Sequence, residues 1–318
     1  MMRRWVAMAA LWAVTVGTAG AAPTLAERLG YPAETRLLII NGDDAGMCHT
    51  ANVATIEALE HGLMTSATVM VPCPWFPEIA RYAREHPVAD FGVHLCHTSE
   101  WQVYRWGPVA PRSEVPHLID PDGYFWHEIP QVYAKANPEE AYIEAKAQVT
   151  KALAAGIDVT HLDSHMGTLQ YHLAYVEKYL QLAVDFDLPA RMASQESLAK
   201  NGGGQLRAAF AAKGIVTTDD FVWEDLKDMP KDVKGYWMKK VGSLKPGVTE
   251  LYIHAGQATD ELKAVTHSWS VRTAEFETFA RDPDMRALVG ERKIVRIGWR
   301  ALRELQRKER RERAGAGK

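Results

Sequence analysis

The sequence predicts an α/β fold: a single, distorted (β/α) barrel with a long irregular insertion after its third strand. Three observations predict it. Short apolar runs alternate with helical patterns along the chain, which is how parallel strands with helices outside them read in sequence. A length of 318 residues suits one large barrel domain. Asp43, Asp44, His94, His165 and His254 all fall at the C-terminal ends of predicted strands. In β/α barrels, TIM-like folds among them, active sites are built on that face. An open doubly wound sheet is the alternative.

The elements follow in order. Met1-Met2-Arg3-Arg4 is a basic start, Trp5 to Val16 is nearly all apolar, and small residues follow at 18–22. This matches a secretory signal peptide over residues 1–22, cut near Ala21 or Ala22; its apolar stretch is short for a bilayer span. Export to the periplasm or beyond is the expectation. The barrel domain then runs over residues 23–305. Leu37–Asn41 reads as the first strand, followed by a helix over Asn52 to Leu63 that stops at Gly62. Ser66–Val71, Asp90–Leu95 and Val159–Leu162 read as the next strands, with helices over Pro77–Glu85 and Pro138–Ala155 between them. Helix Leu173–Phe186, strand Pro189–Met192, strand Thr249–His254, helix Thr273–Ala280 and strand Lys293–Ile297 complete the pattern. Residues 97–137 form the aperiodic insertion, with a turn at Pro121-Asp122-Gly123. Residues 306–318 are charged and read as a frayed helix and disordered tail.

Composition excludes some functions. A net charge of -3 gives no case for nucleic acid or a membrane surface as partner. Three cysteines are too few for a disulfide scaffold. Cys48 and Cys96 read by default as small buried hydrophobes, with a disulfide between them as the alternative. No Rossmann, Walker or nucleophile-elbow glycine pattern follows a strand.

The chemistry concentrates in a few residues. Adjacent carboxylates at a strand end repel unless a cation sits between them. Asp44, His94 and His165 make an Asp-His-His set suited to one divalent metal ion, zinc or magnesium, with positions left open for water or substrate. Asp163 could replace Asp44 as ligand. Otherwise His161 and Asp163 support the ligands through hydrogen bonds. Asp43 is the candidate general base, or else a cap of the turn after it. His254 is the candidate acid for a leaving amine, or a core histidine. Arg191 is expected to orient Asp43 or hold substrate, or else to make a surface salt bridge. Trp101, Tyr104 and Trp106 offer flat faces for sugar rings, or pack the insertion. Two functions are open: a metal-dependent amidohydrolase, which the resemblance described next implies acts on an N-acetylated sugar, or an exported carbohydrate-binding protein without catalysis. A third keeps the metal and cuts a different ester or amide.

Asn41-Gly42-Asp43-Asp44-Ala45-Gly46, Gly92-Val93-His94-Leu95, Thr160-His161-Leu162-Asp163-Ser164-His165 and Ile253-His254-Ala255-Gly256 together resemble the YdjC-like carbohydrate deacetylases. That family includes chitooligosaccharide deacetylases and deacetylases of hopanoid-linked sugars. The resemblance runs from about Leu37 to Leu302. It implies a deviating (β/α) barrel, a divalent metal and hydrolysis of an N-acetyl group on an amino sugar, with a homodimer left open. By position, Asp43 matches the family's catalytic base, and Asp44, His94 and His165 match its metal ligands. His254 matches the histidine of a His-Pro-Gly segment taken as general acid. Ala255 stands where that proline is usual, and Met166-Gly167 where histidines often follow the third ligand.

Overall fold

The computed structural model describes residues 22–223 and 231–316. The predicted signal peptide, except for its last residue, lies outside them. Among the described residues one all-parallel sheet forms from β1 (Arg36–Ala45), β2 (Ser66–Val69), β3 (Phe91–Leu95), β4 (Val159–Ser164), β5 (Asp220–Val222), β6 (Gly247–Ile253) and β7 (Val295–Arg296). The order is β4-β3-β2-β1-β6-β5. β6 pairs with β1 from Arg36 to Gly42, so β7 and β2 share the opposite edge of β1, β7 at Leu37 and Leu38 and β2 from Asn41 onward. Among the described residues, the gap between β4 and β5 is spanned by the bridge of Leu162 to Ala190 and by Ala190 N–H donating to Val216 O. The barrel is therefore distorted as predicted. The expected strand Pro189–Met192 shrinks to this single bridge, in part because Pro189 has no N–H to offer a ladder.

Alternation along the strands divides the residues between lumen and helices. Leu38 and Ile40 point outward into the main core, while Leu37 and Ile39 join Val248 and Trp299 in a separate apolar cluster at the base of the lumen. The same inward face continues upward as Asn41 and Asp43 on β1, Ser66 and Thr68 on β2, and Glu250 on β6, all buried. The lumen thus grades from apolar at the bottom to polar at the top. Gly92 faces it from β3, where a Cβ would stand 2.6 Å from the His161 ring, so glycine makes room for that imidazole.

The helix Pro138–Ala154 begins with the Asn137 side chain accepting from Glu140 N–H and with Pro138 at its first position. Its buried face reaches two other segments. Gln148 bonds both the N–H and the carbonyl of Cys96, fixing the exit of β3. Glu144 accepts the N–H groups of Val109 and Ala110, which ties down the insertion. The predicted turn is present, with Asp120 accepting from Asp122 and Tyr124 N–H and Gly123 at φ 87°.

The C-terminal residues differ from the sequence expectation. The segment read as a tail is the outer part of a helix over Trp299–Ala316. Charge alone suggested fraying, but Trp299, Leu302, Leu305 and Gln306 form one buried face. Trp299 plugs the bottom of the barrel: its ring stacks on His161 at 4.8 Å and its Nε1–H donates to Glu250 at 3.1 Å. Gln306 accepts from Val216 N–H and donates to Asp187. No described helix is long and apolar enough to cross a membrane, and all three cysteines are free thiols. Gln306→Ala leaves a buried N–H without its partner and is expected to cost about 1–3 kcal/mol. Urea denaturation measures this, and a frayed tail would give no change.

Candidate metal centre and active site

β1 runs further than predicted and contains both acids. Consecutive residues of a regular strand point to opposite faces, so Asp43 and Asp44 should diverge. They do not, because β1 is bulged: Gly42 pairs with Ala67 but Ala45 pairs with Val69, so the β1 side has one extra residue. Asp44 takes a left-handed φ of 65°, which aspartate tolerates better than most residues. Met166, directly after His165, is also left-handed at φ 56°. Backbone strain of this kind on both sides of one site is a mark of function.

Asp44, His94 and His165 converge as expected. Asp44 Oδ1 lies 3.3 Å from His94 Nε2 and 3.4 Å from His165 Nδ1, and those nitrogens are 3.2 Å apart. A tetrahedral zinc with bonds near 2.0–2.1 Å spaces its ligands by about 3.3 Å. Among the described residues Asp44 Oδ1 is buried with no hydrogen-bond partner. The other carboxylate oxygen, Oδ2, accepts from Arg272 at 2.7 Å.

Both imidazoles are held by carboxylates on their far side. His94 Nδ1 lies 2.7 Å from Asp163 Oδ1, and His165 Nε2 lies 2.9 Å from Glu100 Oε2. Each carboxylate needs a proton on the nitrogen it touches, which leaves the lone pair of the other nitrogen aimed at Asp44 Oδ1. Asp43, His94 and Asp163 form a second cluster of suitable atoms, but Asp163 already takes His94 Nδ1, Thr68 and Arg191. The Asp44 set is the one whose atoms fit a metal ion.

Charge explains the proton affinities. Burial lowers the pKa of His94, yet Asp163 and Asp43 bring it well above the ordinary range. Burial opposes protonation of His165 too, but Glu100 foremost raises it to about 9. Asp44 is driven the other way: burial raises its pKa, and Arg272 with the two imidazoles pulls it well below the carboxylate range. This pocket draws positive charge.

Asp43 sits beside the set and is gripped by Arg191. Nη1 reaches Oδ2 at 2.7 Å and Nη2 reaches Oδ1 at 2.8 Å, while Asn41 also donates to Oδ1. Burial works to raise the Asp43 pKa, but Arg191 outweighs it and keeps the group ionised. Arg191 also meets Asp163 and Glu250, each at 2.9 Å. Its guanidinium is thus engaged by three carboxylates, Asp43 among them. Burial pushes Glu250 up to about 7 against the pull of Arg191.

His254 follows β6 at the barrel rim. Its Nε2 is 3.9 Å from Asp44 Oδ2, and its backbone N–H donates to Glu275. Its side chain is 21 % exposed, against 3 % and 5 % for His94 and His165. It is the imidazole of the site that meets solvent.

In the insertion the aromatics take the packing role that was the alternative to sugar faces. Trp101 and Trp106 are buried, their rings 5.2 Å apart, and the Tyr104 hydroxyl donates to Met47 O. Trp106 meets the His165 ring edge-on at 5.8 Å, and Trp101 lies 5.6 Å from the Arg272 guanidinium. Trp101 and Trp106 thus pack inward against Arg272 and His165, while Tyr104 is half-buried. His161 likewise lies one layer below the site, its Nδ1 on the Thr160 hydroxyl. Sequence reasoning did not find Glu100 and Arg272. Glu100 had a weak signal, a carboxylate six residues after His94, whereas Arg272 stands on the helix Trp269–Phe276 with nothing nearby to mark it.

The fold and the site define an enzyme-like (β/α) barrel with a carboxylate–imidazole cluster at its C-terminal face. The YdjC-like protein family model matches residues 37–291, and the chain belongs to that family. The carbohydrate deacetylase of Thermus thermophilus is 33 % identical over 286 residues, covering 88 % of this chain and 98 % of that protein. A chitooligosaccharide deacetylase of Yersinia enterocolitica is 32 % identical over 133 residues, 41 % of this chain and 49 % of its own. In structure, the chain is similar to an Enterococcus faecalis protein described as a candidate for cellobiose-phosphate cleavage. Their TM-score is 0.72 at 27 % identity, covering 84 % of this chain and 99 % of that one.

Zinc titration tests the site. Glu100→Gln should weaken binding by about 10–100-fold. In the unaltered chain, binding displaces a proton from each of His94 and His165, so apparent affinity should rise by about a hundredfold per pH unit up to about 9, less steeply above it, and fall as pH falls. Affinity that is flat with pH would contradict this assignment.

Proposed function

We propose that the chain is a metal-dependent hydrolase that removes the acetyl group from an N-acetylated amino sugar or oligosaccharide, releasing acetate. The observation that carries this reading is the orphaned Asp44 Oδ1 facing two imidazoles, with an ionised second carboxylate beside it. The names of the relatives support the same reaction class. A divalent ion held by Asp44, His94 and His165 supplies Lewis-acid polarisation of a carbonyl and acidifies water.

The remaining roles belong to the protein. Asp43 takes the proton of the water that attacks the acetyl carbon; Arg191 fixes the plane of its carboxylate so that the acceptor lone pair is already aimed. As the carbon–nitrogen bond breaks, His254 gives a proton to the departing amine. Its partial exposure at the rim suits a group that meets a leaving sugar. Trp101 and Trp106 keep bulk water from the ligand side. Arg191 and Arg272 are engaged by carboxylates, which disfavours a phosphoester substrate. The buried insertion aromatics likewise disfavour a purely sugar-binding protein that relied on them. We further propose export through residues 1–22, to the periplasm or outside the cell.

Asp43→Asn keeps the shape and the ligands but loses the base. Against N-acetylated sugars it should bind zinc normally and release acetate at least about 100-fold more slowly. Full turnover in this variant would remove Asp43 from the mechanism.

A further inference from the structure

Glu250 is fully buried in the lumen, yet a single one of its oxygens makes every close contact of its carboxyl group. Oε1 accepts from Arg191 Nε–H at 2.9 Å and from Trp299 Nε1–H at 3.1 Å, and it lies 2.9 Å from Arg191 Nη2. Oε2 is buried with no hydrogen-bond partner among the described residues. The side chain therefore presents one acceptor to one edge of one guanidinium.

That edge governs the opposite one. Asp43 takes the end of the Arg191 fork, Nη1 and Nη2, at 2.7 and 2.8 Å, whereas Glu250 takes its Nε side. A guanidinium is rigid and planar, so rotation about the Cδ–Nε bond turns both edges together. The bond from Nε–H to Glu250 fixes that rotation, and with it the plane in which Asp43 is gripped. Asp163 Oδ2 lies 2.9 Å from Nη1, and the rings of Phe221 and Tyr252 lie 5.3 and 5.2 Å from Cζ. The two partners differ in backbone support. Arg191 stands in the gap between β4 and β5, next to the lone bridge at Ala190. Glu250 stands inside the ladder on β6, opposite Ile39 of β1 on one side and Phe221 of β5 on the other. Trp299, from the C-terminal helix, holds the same oxygen from below. Glu250 is the fixed point, and Arg191 is the arm that needs fixing.

We infer that Glu250 is the positioning residue of the base: anchored by Trp299, it sets the Arg191 fork and, through the fork, the carboxylate of Asp43. The inference rests on the proposed deacetylase reading for the role of Asp43. It makes the place of one acceptor oxygen, and not the charge of Glu250, the property that matters, since Oε2 is left without a partner. It also joins the C-terminal helix to the reaction through a chain of four side chains, Trp299, Glu250, Arg191 and Asp43.

Two conservative variants separate place from charge. Glu250→Gln keeps the acceptor where it is and removes the charge; Glu250→Asp keeps the charge and withdraws the acceptor by one methylene. Acetate release from N-acetylglucosamine and N,N′-diacetylchitobiose is measured on the zinc-loaded chains. The Arg191 Nε–H signal is followed by heteronuclear NMR and assigned by its loss in Arg191→Lys. Glu250→Gln should keep kcat within about threefold, whereas Glu250→Asp should lower it at least about tenfold at unchanged KM and zinc content. The Nε–H should stay protected from exchange in Glu250→Gln and exchange rapidly in Glu250→Asp. Because Glu250 acts through Asp43, adding Glu250→Asp to Asp43→Asn should not lower the residual rate further. A Glu250→Asp chain as active as Glu250→Gln, or a loss that persists undiminished beside Asp43→Asn, would overturn the inference and leave Glu250 a charge or packing element. No acetate from either sugar with the unaltered chain would instead sink the deacetylase reading. The Nε–H comparison then still decides whether Glu250 sets the fork, and equal protection in both variants would say that it does not.

Discussion

One extra residue in β1 sets the geometry of everything above the barrel. Without the bulge between Gly42 and Ala45, Asp43 and Asp44 would face opposite sides of the sheet. With it, and with Asp44 held at a left-handed φ, both carboxylates serve one site from adjacent positions. They are then driven into different states by different arginines. Arg191, rising through the lumen, grips Asp43 through both oxygens; Arg272, from an outer helix, takes only one oxygen of Asp44 and leaves the other facing the imidazoles. The proposed division into base and ligand follows from which guanidinium each acid reaches.

The site is assembled as a graded stack. Trp299 and the aliphatic residues seal the bottom of the lumen, Glu250 and His161 form a buried polar layer above, and Arg191 ties that layer to Asp43 and Asp163. Asp163 then holds His94, and Glu100 holds His165 from the insertion. Asp43, Asp44, Asp163 and Glu100 together outnumber Arg191 and Arg272. Buried charge so unbalanced is expensive, and it accounts for the raised proton affinity of both imidazoles. A divalent cation held through those nitrogen lone pairs, in place of two protons, would answer the same imbalance.

Much of this was legible in the sequence, for a physical reason. Strand ends are marked by the switch from apolar runs to polar residues, and a barrel gathers those ends on one face, so Asp43, Asp44, His94, His165 and His254 could be placed together without knowing a single contact. The backing residues were not legible in the same way. Arg272 reaches Asp44 from 228 positions away, and no local pattern encodes that. The insertion misled because aromatic content says how much surface a loop can cover, not which way the rings turn; Trp101 and Trp106 turn inward onto the ligands. At the C-terminus, dense charge on one helical face hid the apolar face of Trp299, Leu302 and Leu305 that closes the barrel. The bulge itself left only the unusual sight of two acids in sequence.

The central claim is that Asp44, His94 and His165 hold one divalent cation. Elemental analysis of the chain, equilibrated with zinc and magnesium and then freed of loosely bound ions, tests it most directly. The account predicts close to one equivalent per chain, falling to background in Asp44→Ala. No stoichiometric metal, or a full equivalent retained in Asp44→Ala, would contradict it.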